Sequence, residues 1–316
     1  MHTTSDLPTN TSFDASARQP KTPVWYRDPA ILMGGAGVLC FSFTLPATYL
    51  ADPAFGGVAV GLGRAIIAAV LAALVLLVRR EALPPRRTWL SLCFVAFGVV
   101  IGFPLFSALA LEGTPVAHSA IISGLLPAAT AVGAVLRVRE RPSALFWLSS
   151  IAGMLAVLLF AFVQSAGHLQ AGDGWMLLAV GAGAVGYTEG GRLSRELGGW
   201  RVICWALVLA APFLLLPVGW SLAHHGIQGS DPRAWLGLAY VAIFSMFLGF
   251  FAWYHGLALG GIARISQLQL LQPLLTIVWA ALLLGEQLTL LTGLTAVLVV
   301  LCVAIGQRSR MKPRSL

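Results

Sequence analysis

The chain has 316 residues, of which 58% are hydrophobic and 10% charged; soluble domains carry roughly 25% charge, so a water-soluble globule is excluded and a bilayer is the expected solvent. The net charge of +8 comes from basic residues scattered through short loops, which argues against a nucleic-acid partner and for membrane topology. The four cysteines, Cys40, Cys93, Cys204 and Cys302, lie in apolar stretches at unrelated spacings, so neither a disulfide framework nor a metal site is expected.

A spanning helix needs about 20 mostly apolar residues. Such stretches begin near Ala30, Gly57, Trp89, Pro115, Leu145, Gly174, Trp200, Trp235, Ala263 and Leu288. They predict an all-α integral membrane protein of ten transmembrane helices, with no sizeable soluble domain. Residues 1–29, rich in Ser, Thr, Asp and Pro, read as a disordered cytoplasmic tail, and residues 307–316 as a basic cytoplasmic tail. Between the expected spans, connectors with arginines alternate with connectors that have none. Arg79, Arg80, Arg86 and Arg87 follow the second span, Arg137, Arg139 and Arg141 the fourth, and Arg192, Arg195 and Arg201 the sixth. By the positive-inside rule both termini are cytoplasmic. Of the basic residues only Arg233 falls outside and Arg64 within a span.

Residues 103–140 and 249–286 align without a gap, placing Ala117 on Ala263, Pro127 on Pro273, Thr130 on Thr276, Leu136 on Leu282 and Glu140 on Glu286. Matches among apolar residues are cheap. A proline followed at one distance by a glutamate, in a chain poor in both, is not, and it marks an internal duplication. Residues 30–163 form the first five-span repeat and 174–306 the second. An odd number of crossings turns the second copy upside down in the membrane, an arrangement that recurs in secondary transporters with solute held near the midplane.

The candidate site residues are polar or aromatic groups at membrane depth, where an ionised side chain costs roughly 2.5 to 3.5 kcal/mol on insertion scales. Arg64, about two turns into the second span, either pairs with a solute carboxylate, snorkels outward or holds a neighbouring carbonyl. Ser266, Gln269 and Gln272 recur every three residues just before Pro273, on one helix face, with Gln267 to the side. They either glue helices together or line a cavity. Ser119 and Ser123 occupy the matched face of the fourth span, with His118 near its outer end. Trp253, Tyr254 and Tyr187 are cavity aromatics or interface anchors. His255 and Glu189 are the candidates for proton coupling, against a buried neutral histidine and an interfacial Glu189–Arg192 ion pair. Pro127 and Pro273 each remove a helix hydrogen bond and are the candidate hinges. The expected cavity lies between spans three, four, eight and nine, with contributions from one, two and six. Glu140 and Glu286, ending the two proline helices, read as structural groups that bond free backbone donors or a neighbouring helix.

The paired proline–glutamate helices, the LLLGE at 282–286, the SALALEGTPVAHSA at 107–120 and the five-plus-five layout resemble the EamA family of the drug/metabolite transporter superfamily, over roughly residues 30–306. The chain departs from that family at LRVRE, where Arg139 stands in the usual glycine place before Glu140. It departs again in the first span, where Cys40, Phe41, Ser42 and Phe43 replace a common tryptophan. The resemblance implies a bacterial inner-membrane secondary carrier, a monomer or homodimer, that exports amino acids or other small metabolites by alternating access. Its partners would be a small-molecule solute and the lipid bilayer. No cofactor is implied. The phosphate-cradling loop of a primary pump, HExxH and GxSxG do not occur, so an enzyme is not expected. A channel, or a sensor or accessory subunit on a carrier's fold, is the rival class, and no ring of charges points to a pore.

Overall fold

The computed structural model describes residues 28–164, 171–228 and 231–285, together with 290–291, 293–294, 297–298, 301–302 and 305. Residues 1–27, Glu286, much of the span expected from Leu288 and the tail at 307–316 lie outside them. All regular structure among the described residues is helical. In a bilayer, backbone groups must be satisfied within the segment, and uninterrupted apolar runs meet that demand as helices. Seven helical segments are long and apolar enough to cross a membrane: Pro29–Phe55, Gly57–Val78, Arg86–Leu111, Val116–Val138, Gly199–His225, Pro232–Gly260 and Ile262–Leu284. Two further helices stand where spans five and six are expected. The first is α8, Ala144–Gln164, and the second is α9, Ala171–Leu197, whose apolar run is interrupted by Asp173, Glu189, Arg192, Arg195 and Glu196.

Most of the spans are broken helices. The first is α1 (Pro29–Ser42), opened by the Asp28 cap, and α2 (Thr44–Phe55), with Phe43 between them. The freed Ser42 carbonyl accepts the Thr276 hydroxyl at 2.6 Å, and Trp279 Nε1 donates to Ser42 Oγ at 3.0 Å. The second span is the unbroken α3 (Gly57–Val78). The third joins α4 (Trp89–Val95) to α5 (Phe103–Leu111) through a π-helical stretch, Ala96–Gly102. After α10 (Gly199–His225), the span Pro232–Gly260 repeats that plan, with α11 (Pro232–Tyr240) and α12 (Gly249–Gly260) flanking a π-helical Val241–Leu248. The two π stretches end at Gly102 and Leu248, at matched positions of the aligned segments.

The proline helices break as well. In one, α6 (Val116–Ser123) ends in a turn at Gly124 and Leu125 before α7 (Leu126–Gly133), and in the other α13 (Ile262–Ser266) passes through a 3₁₀ turn, Gln267–Leu271, into α14 (Gln272–Leu284). Each proline is the second residue of its following helix, where its missing N–H leaves nothing unsatisfied. The halves cross: α6 packs on α14 and α7 on α13.

The most extensive packing pairs one half of the chain with the other, and the pairs α3 with α10 and α1 with α12 run antiparallel. Gly56 at the head of α3 borders the His225 ring at the foot of α10, and Gly63 borders Val218. Likewise Gly256 and Gly260 of α12 border Ala30, while Gly249 borders Cys40 and Phe41. Gly98 and Gly186 let the third span and α9 touch along their backbones, since a Cβ on Gly98 would come within 2.6 Å of the Gly186 Cα. Side chains such as Leu77, Leu216 and Leu282 point outward, exposed and apolar, as a lipid-facing surface requires.

One end of the bundle is laced by ion pairs. Glu189 of α9 is bonded by Arg192, at 3.0 Å, and by Arg137 beyond α7; Arg192 also donates to Ser91 at 2.6 Å. Arg201 forks onto both Glu81 oxygens at 2.9 Å, and Arg264 meets Asp28 at 3.0 Å. Glu140 accepts the backbone N–H groups of Ile262 at 3.0 Å and Ala263 at 2.8 Å, and Arg195 at 2.9 Å. It thereby caps the first turn of α13, whose free N–H groups and dipole favour an anion. The carboxylate is aimed by the preceding residue. Arg139 is left-handed at φ 58°, ψ 32°, and its counterpart Gly285 sits at φ 73°, ψ 16°.

Two substitutions test this capping turn. Arg139→Gly should stabilise the detergent-solubilised protein by up to about 1 kcal/mol, seen as a raised thermal midpoint, because relief of left-handed strain outweighs the added freedom of glycine in the unfolded chain; a lowered midpoint would mean that the arginine side chain itself holds the turn. Glu140→Ala should cost about 1–3 kcal/mol by stranding two backbone donors and Arg195. Glu140→Gln, which keeps an acceptor, should fall between.

Candidate functional site

Six of the expected spans contribute to a hollow at mid-length of the bundle. Its lining includes Phe41 and Thr44 around the break in the first span, Arg64 of α3, and Val99, Phe103 and Pro104 of the third span. The other half of the chain supplies Tyr187 of α9, Ser245, Met246 and Phe250 of the eighth expected span, and Gln272 at the proline break. Val99 and Ser245 lie near the middle of their spans. Both belong to π-helical stretches, whose local widening turns side chains that a regular helix would aim elsewhere. The hollow has room for about one or two water molecules.

Its polar chemistry is sparse. Arg64 is 1% exposed, its Nε donates to the Gly61 carbonyl at 3.3 Å, and one terminal nitrogen has no partner among the described residues. It therefore does not snorkel. A guanidinium stays protonated in proteins, so a positive charge is held inside an apolar bundle. The Tyr187 hydroxyl is its close neighbour, and the Gln269 amide lies beside that hydroxyl. Neither polar atom of the Gln269 amide makes a well-formed hydrogen bond, and Gln272 Oε1 has no partner. Buried polar groups are ordinarily satisfied, so these unfilled positions are the strongest mark of a ligand site. Thr44 and Ser245 hydrogen-bond to each other at 2.7 Å across the hollow wall.

The other sequence candidates divide by partner. Ser266 and Ser123 return their hydroxyls to the carbonyls of Ala263 and Ala120, at 2.9 and 2.6 Å, and Ser119 is buried on the same helix as Ser123. None of the three is among the lining residues, and the fourth span contributes none. Trp253 packs edge-on to Phe41 and beside Tyr187, with Nε1 unpartnered, one layer behind the lining. Tyr254 donates to the Gly186 carbonyl at 3.0 Å and fills the groove at Gly190. Glu189 is bonded to Arg137 and Arg192, away from the hollow, and His255 is exposed on the surface of α12. Pro127 and Pro273 stand at the two crossing breaks.

Sequence reading missed Thr44, Ser245 and the aromatic wall of Phe41, Phe103 and Phe250. Only a hydroxyl within a long apolar run would have marked Thr44 and Ser245. It also missed the Glu189–Arg137 pair, which joins residues 52 positions apart, and the buried His118–Asp173 hydrogen bond of 2.8 Å between the starts of α6 and α9.

Comparison with known proteins agrees with this architecture. The chain is 47% identical over 275 residues to the uncharacterized transporter YdeK of Bacillus subtilis, covering 87% of this chain and 96% of that one. It is 26% identical over 243 residues to an uncharacterized transporter of Synechocystis, covering 69% of this chain and 72% of the relative. A solved crystal structure with 19% identity superposes with a TM-score of 0.67, covering 89% of this chain and 99% of the other, a likeness of fold. The EamA-like transporter family model matches twice, at residues 28–162 and 170–305, so the hollow is lined from both matched regions. On these grounds the chain belongs to the EamA-like transporter family, within the drug/metabolite transporter superfamily.

Proposed function

We propose that the protein is a secondary active transporter of the bacterial inner membrane that exports small amphiphilic metabolites, amino acids among them, by alternating access. In this reading ten spans form two inverted five-span repeats, with both termini in the cytoplasm. The seven apolar spans are joined by α8, α9 and a last span from about Leu288. Family membership supports transport. Inversion is supported by the antiparallel pairing of the two halves and by the π stretches at matched positions. The basic connectors put the ion-paired end on the cytoplasmic side.

The observation that carries the reading is the hollow itself. It lies half-way along the spans, is lined from both repeats, and is bordered by Arg64 and Gln272, each with a buried polar atom that has no partner among the described residues, while the Gln269 amide lies behind it beside Tyr187. That is where inverted-repeat carriers hold solute, beside broken helices whose free groups line the cavity. The broken proline helices at Pro127 and Pro273 serve as hinges, since a crossing of two interrupted helices can open on either side without unfolding either. The ion pairs around Glu189 and Glu140 close the cytoplasmic side in the present conformation. Glu189, held by two arginines, acts as a latch and not as a proton carrier.

Counterflow in liposomes tests the proposal, with a panel of labelled amino acids, nucleosides and small cations. The wild-type protein should exchange one class. The double substitution Gln269→Leu with Gln272→Leu should cut that exchange at least tenfold, the equivalent of about 1.4 kcal/mol of lost binding, while yield and thermal midpoint stay near wild type. Unchanged exchange in the double variant would reject the hollow as the site. Failure of folded wild-type protein to exchange anything would reject the carrier in favour of a sensor.

A further inference from the structure

We infer that the hollow selects by net charge: it takes an amphiphilic monocarboxylate in preference to the zwitterion of the same shape, and refuses the corresponding amine. The inference rests on the carrier reading and narrows its solute class. It starts from a charge count. Among the lining residues Arg64 is the one ionised side chain; the rest are apolar or aromatic groups, hydroxyls and one amide. The described carboxylates of the surrounding helices are engaged elsewhere or stand at helix ends. Glu189 is two residues beyond Tyr187 on α9, which turns it to the far side of the helix, and it is bonded there by Arg137 and Arg192. Asp173, in the first turn of α9, is hydrogen-bonded to His118. The α3 helix carries no acidic residue.

The guanidinium is therefore a buried charge without a counter-ion among the described residues, on a side chain that lines the hollow and has an unpartnered terminal nitrogen. A carboxylate is the group its donor fork fits. An anionic solute leaves the occupied site neutral. A zwitterion leaves it at net +1, with an ammonium held only by the amide oxygen of Gln272, which can hydrogen-bond it but cannot cancel its charge. In a low-dielectric site that difference is large. An amine without a carboxylate places two like charges together. The remaining wall, Phe41, Phe103, Phe250, Met246 and Val99, fits an apolar or aromatic body. Since the hollow has room for only about one or two water molecules, its walls must part for such a body to enter.

The test is counterflow by the full-length protein in liposomes, with protein-free vesicles subtracted for leak. Three labelled probes share one body: 3-phenylpropionate, phenylalanine and phenethylamine. Phenylpropionate should exchange fastest, phenylalanine at least tenfold more slowly, and phenethylamine no faster than the leak. In detergent, phenylpropionate should raise the thermal midpoint of the wild type. Arg64→Gln should lose both effects, and Arg64→Lys, which keeps the charge without the fork, should keep part of each; should Arg64→Gln fail to fold, the probe series on the wild type and Arg64→Lys decides. Phenylalanine or phenethylamine exchanged as fast as the acid overturns the charge rule and leaves the carrier reading standing. Exchange of some other solute, with none of the three probes moving or protecting the protein, overturns it too. Loss of all exchange overturns the carrier reading with it.

Discussion

The low dielectric of the bilayer is the constraint on which the structure turns. A charge at membrane depth must find an opposite charge, reach water or be put to use. Nearly all the ionised side chains comply by gathering at helix ends, where Glu189, Glu140, Glu81 and Asp28 meet arginines from distant parts of the chain. Those contacts tie the end of α9 to the segment beyond α7, that segment to the start of α13, α13 to the start of α1, and the segment after α3 to the start of α10. Among the described residues Arg64 alone stands apart, nearly fully buried and bonded to one carbonyl of its own helix. The hollow forms around that exception.

The second organising fact is that helices of one half pack on helices of the other. Backbone approaches such as Gly98 on Gly186 and Gly256 on Gly34 are between halves. Glycines make these approaches possible, and without a hydrophobic force between helices in lipid, close backbone contact is the main source of cohesion. The polar breaks then fall where the halves meet. Ser42 at the break of the first span receives hydrogen bonds from Thr276 and Trp279 of α14, so the irregular backbone is supported from across the bundle. Irregular backbone is tolerated in a membrane only under such cover. In the proposed carrier these same breaks are the places where one half can rock on the other.

Much of this was legible in the chain. Long apolar runs announce helices because only a helix satisfies its own backbone in lipid. The Pro-to-Glu match announced the duplication, and the arginine-for-glycine departure at Arg139 falls on a left-handed residue like Gly285, which the sequence by itself did not disclose. The site was legible only in part. Arg64, Tyr187, Gln269 and Gln272 drew notice as polar or aromatic groups at depth. Ser119, Ser123 and Ser266 looked identical by that criterion, yet at least two of them satisfy their hydroxyls on their own helix. A serine one turn from a carbonyl can do so locally, whereas a glutamine amide or a guanidinium needs more partners than one turn offers. Ten apolar runs were read from the chain, and among the described residues seven helices are long and apolar enough to cross a membrane; the charged half of α9 belongs to the ion-paired end.

What the sequence by itself determined is therefore the solvent, the helical class, the duplication and a short set of polar residues that a bilayer would not hold without reason. These follow from composition and spacing, which depend on near neighbours. Only the tertiary structure decided which of those residues face one another. Arg64 and Tyr187 stand 123 positions apart and Thr44 and Ser245 stand 201 apart, and no local rule joins them. The antiparallel packing of one repeat on the other brings them to a single hollow, and it leaves Arg64 there without a counter-ion among the described residues.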